Sequence, residues 1–106
     1  MIKPDRSTDV RDYGFFRMSV AFTGTSETVY MMHDKPFVSA AVHPASGTAK
    51  VQFSLSSAAE IEAGRGLWID WPKGSVSVGT ADSLVSAVIA VRGVATATAT
   101  LEVCAQ

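Results

Sequence analysis

Two histidines are the first residues of this sequence that could take part in chemistry, because imidazole can bind a metal ion or transfer a proton near neutral pH. His33 and His43 lie on different predicted segments, and Asp34 is the only carboxylate residue adjacent to either of them. A metal site needs three or four converging ligands. The sequence therefore predicts no metal site, and we interpret both histidines as polar residues at strand ends.

The single cysteine and a pair of glutamates are the other candidate reactive groups. Cys104 would need a neighbouring base to act as a nucleophile, and no base can be recognised beside it. Glu60 and Glu62 have the spacing of a carboxylate pair but no accompanying cleft signal, so they are interpreted as solvated. The segment Gly64-Arg65-Gly66 is too short for a dinucleotide-binding loop, and hydrolase, phosphate-loop and zinc-protease motifs are absent. We therefore expect no catalytic residue, no cofactor and no enzymatic activity.

The stretch over residues 67–74 is the most informative for binding, because it holds both tryptophans of the chain. In a strand, Trp68 and Trp71 would lie on opposite faces. One indole is expected in the core, where it buries a large area, and the other at the surface, where a tryptophan often marks a contact site. Trp68, Asp70 and Trp71 are therefore predicted interaction residues. A sugar platform and two buried indoles are the alternatives.

Short alternating segments must position these side chains. Between residues 16 and 22, apolar side chains alternate with small or polar ones, which is the pattern of a half-buried strand. The clearest alternation runs from Lys50 to Ser56. Further strands are predicted at Val29–Met32, Phe37–His43, Leu67–Trp71, Ser75–Val78, Ser86–Arg92 and Thr96–Val103. The last of them alternates strictly, so its apolar residues are predicted to face inward: Ala97, Ala99, Leu101 and Val103. Residues 79–82 and Gly93 are predicted to be turns between them.

About eight short strands at turn spacings of roughly 8–12 residues predict an all-β fold. The expected architecture is a small antiparallel β-sandwich or a jelly-roll-like barrel. Ser57 and Glu60 have the spacing of a helix capping box, but Gly64 follows so closely that a loop or a single helical turn is expected. Residues 15–106 are interpreted as one domain, preceded by an extended N-terminal arm over residues 1–14.

The N-terminal arm, residues 1–14, differs from the rest because charged side chains interrupt any regular apolar pattern. Its residues Lys3, Arg6, Arg11 and Tyr13 are predicted to contact a partner, and the arm is expected to become ordered when that partner binds. A frayed terminus is the alternative interpretation.

Composition narrows the classes of partner. Nine basic and ten acidic residues give a net charge of −1, which offers no basic excess for binding nucleic acid. No stretch approaches the ~18 apolar residues of a membrane span, and the first residues lack the apolar region of a secretory signal. A single cysteine fits synthesis in a reducing cytoplasm. Charged residues make up 18% of the chain, less than the roughly 25% of an average globular domain. This low share favours a surface that is partly buried against a partner.

Several segments resemble small phage virion proteins. They are residues 57–64, 68–74, 87–93 and 99–103. The proteins concerned are head decoration (cement) proteins and the β-domains of head fibres and tail fibres. The resemblance implies a β-sandwich or jelly-roll module, often trimeric, that clamps neighbouring major capsid protein subunits and carries no catalytic residues.

The sequence therefore predicts a capsid decoration protein that stabilises a phage head. Its expected partners are the major capsid protein and further copies of itself, as a homotrimer, on a virion assembled in the host cytoplasm. No nucleic acid or membrane is expected as a partner. A fibre- or tail-associated β-module and a carbohydrate-binding module are the alternatives.

Overall fold

The computed structural model describes residues 16–31, 37–84 and 88–105. The regular elements of these residues are seven strands and one short helix. In chain order they are β1 (Phe16–Thr25), β2 (Val29–Tyr30), β3 (Val38–Pro44), β4 (Ala49–Ser54), α1 (Ala58–Glu62), β5 (Trp68–Asp70), β6 (Thr80–Ser83) and β7 (Ala90–Ala105). All of the strand pairs are antiparallel. The prediction of an all-β antiparallel fold is confirmed.

Strand β7 is the centre of the sheet and has 16 residues. Residues 98–105 pair with β1 on one side, and residues 99–105 pair with β3 on the other. Residues 90–95 pair with β4, and β2 joins the same end of β7 on the opposite side. Strands β5 and β6 then pair with β4 and β3. The sheet therefore has β1 and β2 along one edge and β5 and β6 along the other.

The sheet curls so that apolar side chains from both halves of β7 meet in one core. Leu101 and Val103 come from one half and Val91 from the other, and all three are buried. Burying a side chain of this size contributes about 1.5–3 kcal/mol. The rest of the buried core consists of Phe22, Val29, Val38, Ala40, Val42, Ala49, Val51, Phe53, Trp71, Val88, Ala99 and Ala105. The inward assignment of Ala99, Leu101 and Val103 from their alternation is confirmed.

The predicted turn at Gly93 is wrong, because this glycine lies inside β7. It pairs with Val51, and the strand continues on both sides of it. The ring of Phe22 occupies the space where another residue would carry its side chain, since a Cβ built on Gly93 would lie 2.5 Å from the Phe22 Cζ atom. The glycine therefore makes room for an aromatic ring, and the two segments predicted as separate strands around it form one.

The connection after β5 also differs from the prediction. Residues 75–78 form no strand and contribute only an isolated bridge between Val76 and Ala49. The strand lies instead at Thr80–Ser83, overlapping the turn predicted at residues 79–82, because these residues can pair with the free side of β3. Its turn-forming side chain, Asp82, accepts a bond from the next backbone N–H at 2.8 Å without ending the strand.

Helix α1 is a single short turn, in agreement with the sequence pattern. Its N-cap is Ser57, whose Oγ accepts a hydrogen bond from the backbone N–H of Glu60 at 3.2 Å. Across the described residues, no helix is long and apolar enough to cross a membrane.

We expect Gly93→Ala to destabilise the fold, because the added methyl group would overlap the ring of Phe22. Overpacking of this kind costs about 1–3 kcal/mol, measurable as the free energy of unfolding in chemical denaturation. Phe22→Leu removes the tip of the ring. The double variant should therefore lose less stability than the sum of the two single variants, whereas strictly additive losses would contradict this packing.

Candidate functional site

An open groove of about 500 Å³ lies on the outer face of the sheet, the face opposite the core. Strands β1, β3, β6 and β7 form it, and the strand register explains its shape. Glu102 on β7 has only Ser19 and Ala41 as its cross-strand neighbours. Such small side chains leave the face concave between longer ones. Outward side chains lining the groove are Arg17, Ser19, Ser39, Ala41, Ala81, Glu102 and Cys104.

A histidine–carboxylate pair lies beside this groove. His43 Nε2 is 2.5 Å from Glu102 Oε1, and both side chains are about half exposed. The other side of the imidazole lies against Gly79, where a Cβ would be 2.7 Å from His43 Nδ1. This packing orients the ring toward Glu102. His33 and Asp34 lie outside the described residues.

Metal binding finds no support in the described part of the chain. It contains no group of three or more His, Cys, Asp or Glu residues that could hold an ion. Sites for zinc or for oxygen-activating iron need at least three such ligands. The side chains that point into the curled sheet are apolar core residues instead.

A polar network crosses β4, β5 and β7 on the outer face. Asp70 accepts hydrogen bonds from Gln52 Nε2 at 2.9 Å and from Lys50 Nζ at 3.1 Å. Gln52 in turn accepts a bond from Arg92 Nε at 2.8 Å. The register creates the network, because Gln52 lies opposite Asp70 on one side and Arg92 on the other. The bonds from Gln52 and then Lys50 hold the pKa of the Asp70 carboxyl below its usual value.

The two tryptophans have different environments. Trp71 is 2% exposed, and its Nε1 donates a hydrogen bond to the carbonyl oxygen of Gly74 at 2.6 Å. Its predicted role as a contact residue is therefore corrected, because its indole is part of the core. Trp68 lies on the outer face beneath Arg92, whose guanidinium carbon is 4.1 Å from the ring centroid. Burial lowers the pKa of Arg92. This contact covers one flat face of the indole ring, and a sugar would have to stack on such a face.

Of the predicted interaction residues, the structure brings Trp68 and Asp70 into one cluster. Gln52 and Arg92 join them there, and sequence analysis missed both. Gln52 had an outward position in an alternating segment, and Arg92 was the last residue of a predicted strand with apolar residues on both faces. Neither feature reveals the partner across the sheet. The remaining candidates, Lys3, Arg6, Arg11 and Tyr13, lie outside the described residues.

Three exposed apolar side chains form what we call the apolar end patch: Leu55, Leu67 and Ile69. Their exposed fractions are 52%, 75% and 46%. Ser54 pairs with Trp68, so the register brings Leu55 and Leu67 together just beyond the last pair of β4 and β5. The N–H of Leu67 donates to Ser56 Oγ at 3.0 Å, which fixes this end of the hairpin. Single exposed apolar residues are common, but adjacent ones often mark a contact surface.

Comparison with known proteins bears on the fold. No family model and no curated protein matches the chain. Structures of oxalate oxidase superpose with a TM-score of 0.50 at 15% identity, covering 88% of this chain and 42% of theirs. A cupin-2 domain protein from Shewanella frigidimarina gives 0.44 at 12% identity, covering 95% and 76% of the two chains. A protein of the disulfide-linked pili of Bacillus endospores gives 0.45 at 12% identity, covering 87% and 86%.

The prediction that the chain is not an enzyme is contradicted by the first of these comparisons. Oxalate oxidase is an enzyme, and its fold matches 88% of this chain, which spans less than half of the oxalate oxidase chain. Catalytic groups in such folds can converge from separate strands, so missing local motifs exclude little. At 15% identity the likeness establishes a shared fold alone, since one fold serves many functions.

We expect Asp70→Asn to lower stability in a pH-dependent way. The pKa of Asp70 is lowered in the folded chain, so its contribution is present above the usual value of 3.8 and is lost as pH falls through the lower folded value. The effect should stay below about 1 kcal/mol, because the pair is exposed. Chemical denaturation over a pH series measures it, with Asp82→Asn as the control for removing one charge. A stability difference that persists at strongly acidic pH would contradict this assignment.

Proposed function

We propose that this chain is a structural module of a larger protein assembly, and that the assembly is a phage head on which it serves as a decoration protein. The observation that carries the proposal is the apolar end patch. Its three members are large side chains that remain 46–75% exposed, and the strand register places them next to one another. Phe37 and Val78 are also exposed, but they lie outside the β4–β5 hairpin. Covering them would contribute about 25 cal/mol for each Å² of apolar surface removed from water.

The surroundings of the patch support a protein partner. Interfaces commonly have an apolar centre and a polar rim. Here the loop between β4 and β5 supplies polar groups, since Arg65 Nε donates to Glu60 Oε2 at 2.8 Å. A partner would therefore meet an apolar surface bordered by charges of both signs.

The backbone around the patch is held in place before any partner arrives. The N–H of Leu67 is bonded to Ser56 Oγ, and the N–H of Ser56 is bonded to Ser54 Oγ at 3.1 Å. Gly66 packs against Ile61, because a Cβ there would lie 2.7 Å from Ile61 Cγ1. A preorganised surface loses less conformational entropy when it binds. This favours a role in stable assembly.

The choice of a virion comes from the sequence. Two of the segments that resemble phage virion proteins lie next to the patch: residues 57–64 are in the β4–β5 connection, and residues 68–74 begin with β5 and include Ile69. None of the three compared structures is described as a virion protein. The proposal of a capsid partner therefore depends on this resemblance, and the proposal of a binding surface depends on the exposed side chains.

The test is co-sedimentation of the purified protein with phage capsids that lack it. We expect stoichiometric binding by the native chain and at least about tenfold weaker binding by Leu67→Asp, because central interface side chains often contribute more than 1 kcal/mol. Val78→Asp is the matched control. Val78 is 69% exposed and lies outside the patch, so the same change of chemistry there should leave binding intact.

Equal binding by the Leu67→Asp variant and the native chain would contradict the patch as the contact surface. Absence of binding by the native chain would contradict the decoration role. Binding to purified fibres or tails instead would identify the fibre- or tail-associated alternative. Binding to a glycan that is lost on Trp68→Ala would identify the carbohydrate-binding alternative.

A further inference from the structure

The two edges of the sheet are built differently. One edge is made of β5 and β6, which have only three and four residues. Pro72 interrupts this edge between them, and each of the two strands carries an aspartate, Asp70 or Asp82. Short strands, prolines and charges are the usual devices that prevent an edge from pairing with another chain. This edge is therefore protected from pairing with a strand of another chain.

The opposite edge has none of these devices along its main strand. β1 runs for ten residues without a proline, and its one charged residue is Arg17. Within the described residues β1 pairs with β7 alone. Among the described residues, the side of β1 that faces away from β7 has no ladder, and its N–H and C=O groups could form one. A long strand of this kind with little charge is a natural site for pairing with another strand.

The inner face of β1 also lacks full cover. Phe22 is buried, but Met18 and Val20 are only partly buried although both pack against the core. These two side chains lie at the margin of the core, because β1 is the outermost strand on this side in the described part of the chain. A further strand beside β1 would extend the sheet, cover Met18 and Val20, and lengthen the core.

We propose that the strand that binds this edge is β1 of a second copy, paired antiparallel about a two-fold axis through Val20 and perpendicular to the sheet. Such an axis keeps the inner faces of both copies on the same side. Met18 of one copy then lies opposite Phe22 of the other, and Ser19 lies opposite Ala21. All of the facing pairs keep their inward or outward character, because β1 alternates symmetrically about Val20.

Charge and symmetry both favour this pairing. Arg17 would lie opposite Thr23 of the second copy, so no like charges face each other across the two-fold axis. A two-fold contact uses the same surface on both copies and closes at two. The expected species is thus a dimer, and a trimer of the kind expected from the sequence would need a different contact. The inference does not depend on the proposed function, because it concerns the free protein in solution.

The first experiment measures the mass of the full chain in solution. Sedimentation equilibrium across micromolar concentrations should give a dimer for the native chain and a monomer for Val20→Lys, since an inward-pointing charge blocks an edge. Ser83→Lys adds the same charge on the protected edge, at an exposed residue, and should remain a dimer. Thermal unfolding of both variants shows whether each keeps the fold.

The second experiment does not rely on a disruptive variant. In a Cys104→Ser background, Val20→Cys should give a covalent dimer with a short thiol cross-linker, because each residue 20 would face its own copy. Ser19→Cys and Ala21→Cys should each cross-link poorly alone but well when mixed, since directly opposed residues are closer than diagonal ones. This pattern distinguishes antiparallel pairing about Val20 from random collision.

A monomeric native chain with no cross-link at residue 20 would overturn the inference. So would a trimer that forms equally well in the Val20→Lys variant. Loss of capsid binding in Leu67→Asp while the dimer persists would leave this inference standing, and so the two proposals can fail separately.

Discussion

The fold depends on the pairing of β7 with neighbours on both of its sides. A buried backbone must satisfy its N–H and C=O groups, and β7 does so over almost its full length of 16 residues. The alternation along this strand then decides which side chains enter the core. Leu101 and Val103 point inward, while Glu102 and Cys104 face the groove on the outer face. Both the core and the candidate site follow from the position of one strand.

The sequence correctly predicted the features that depend on the local alternation of apolar and polar residues. It identified an all-β fold, residues 16–22 of β1, and the inward positions of Leu101 and Val103. It was wrong where pairing with a neighbouring strand outweighs the local conformational preference of the residues. Gly93 suggested a turn, but β4 beside it keeps the strand continuous and Phe22 fills the space above it. Residues 79–82 were predicted to be a turn, but pairing with the free side of β3 makes residues 80–83 a strand.

The candidate site shows the same limit more strongly. Trp68 and Asp70 were selected from a stretch with two tryptophans, because a tryptophan at the surface often marks a contact site. Gln52 and Arg92 come from strands distant in sequence, and only the order β5-β4-β7 brings them together. The exclusion of enzymes failed for a related reason. It depended on short motifs, whereas the resemblance to oxalate oxidase lies in how strands are arranged.

The surfaces proposed for binding occupy separate parts of the sheet. The apolar end patch lies at the end of the β4–β5 hairpin, and the pairing edge is β1, on the far side of β7 from that hairpin. One chain can therefore use both surfaces at once, because neither contact needs the residues of the other. Two linked copies would present two patches, and binding at the first would raise the effective concentration of the second at the lattice. Two small contact surfaces can then give stable attachment to a large assembly, and no copy needs a large interface of its own.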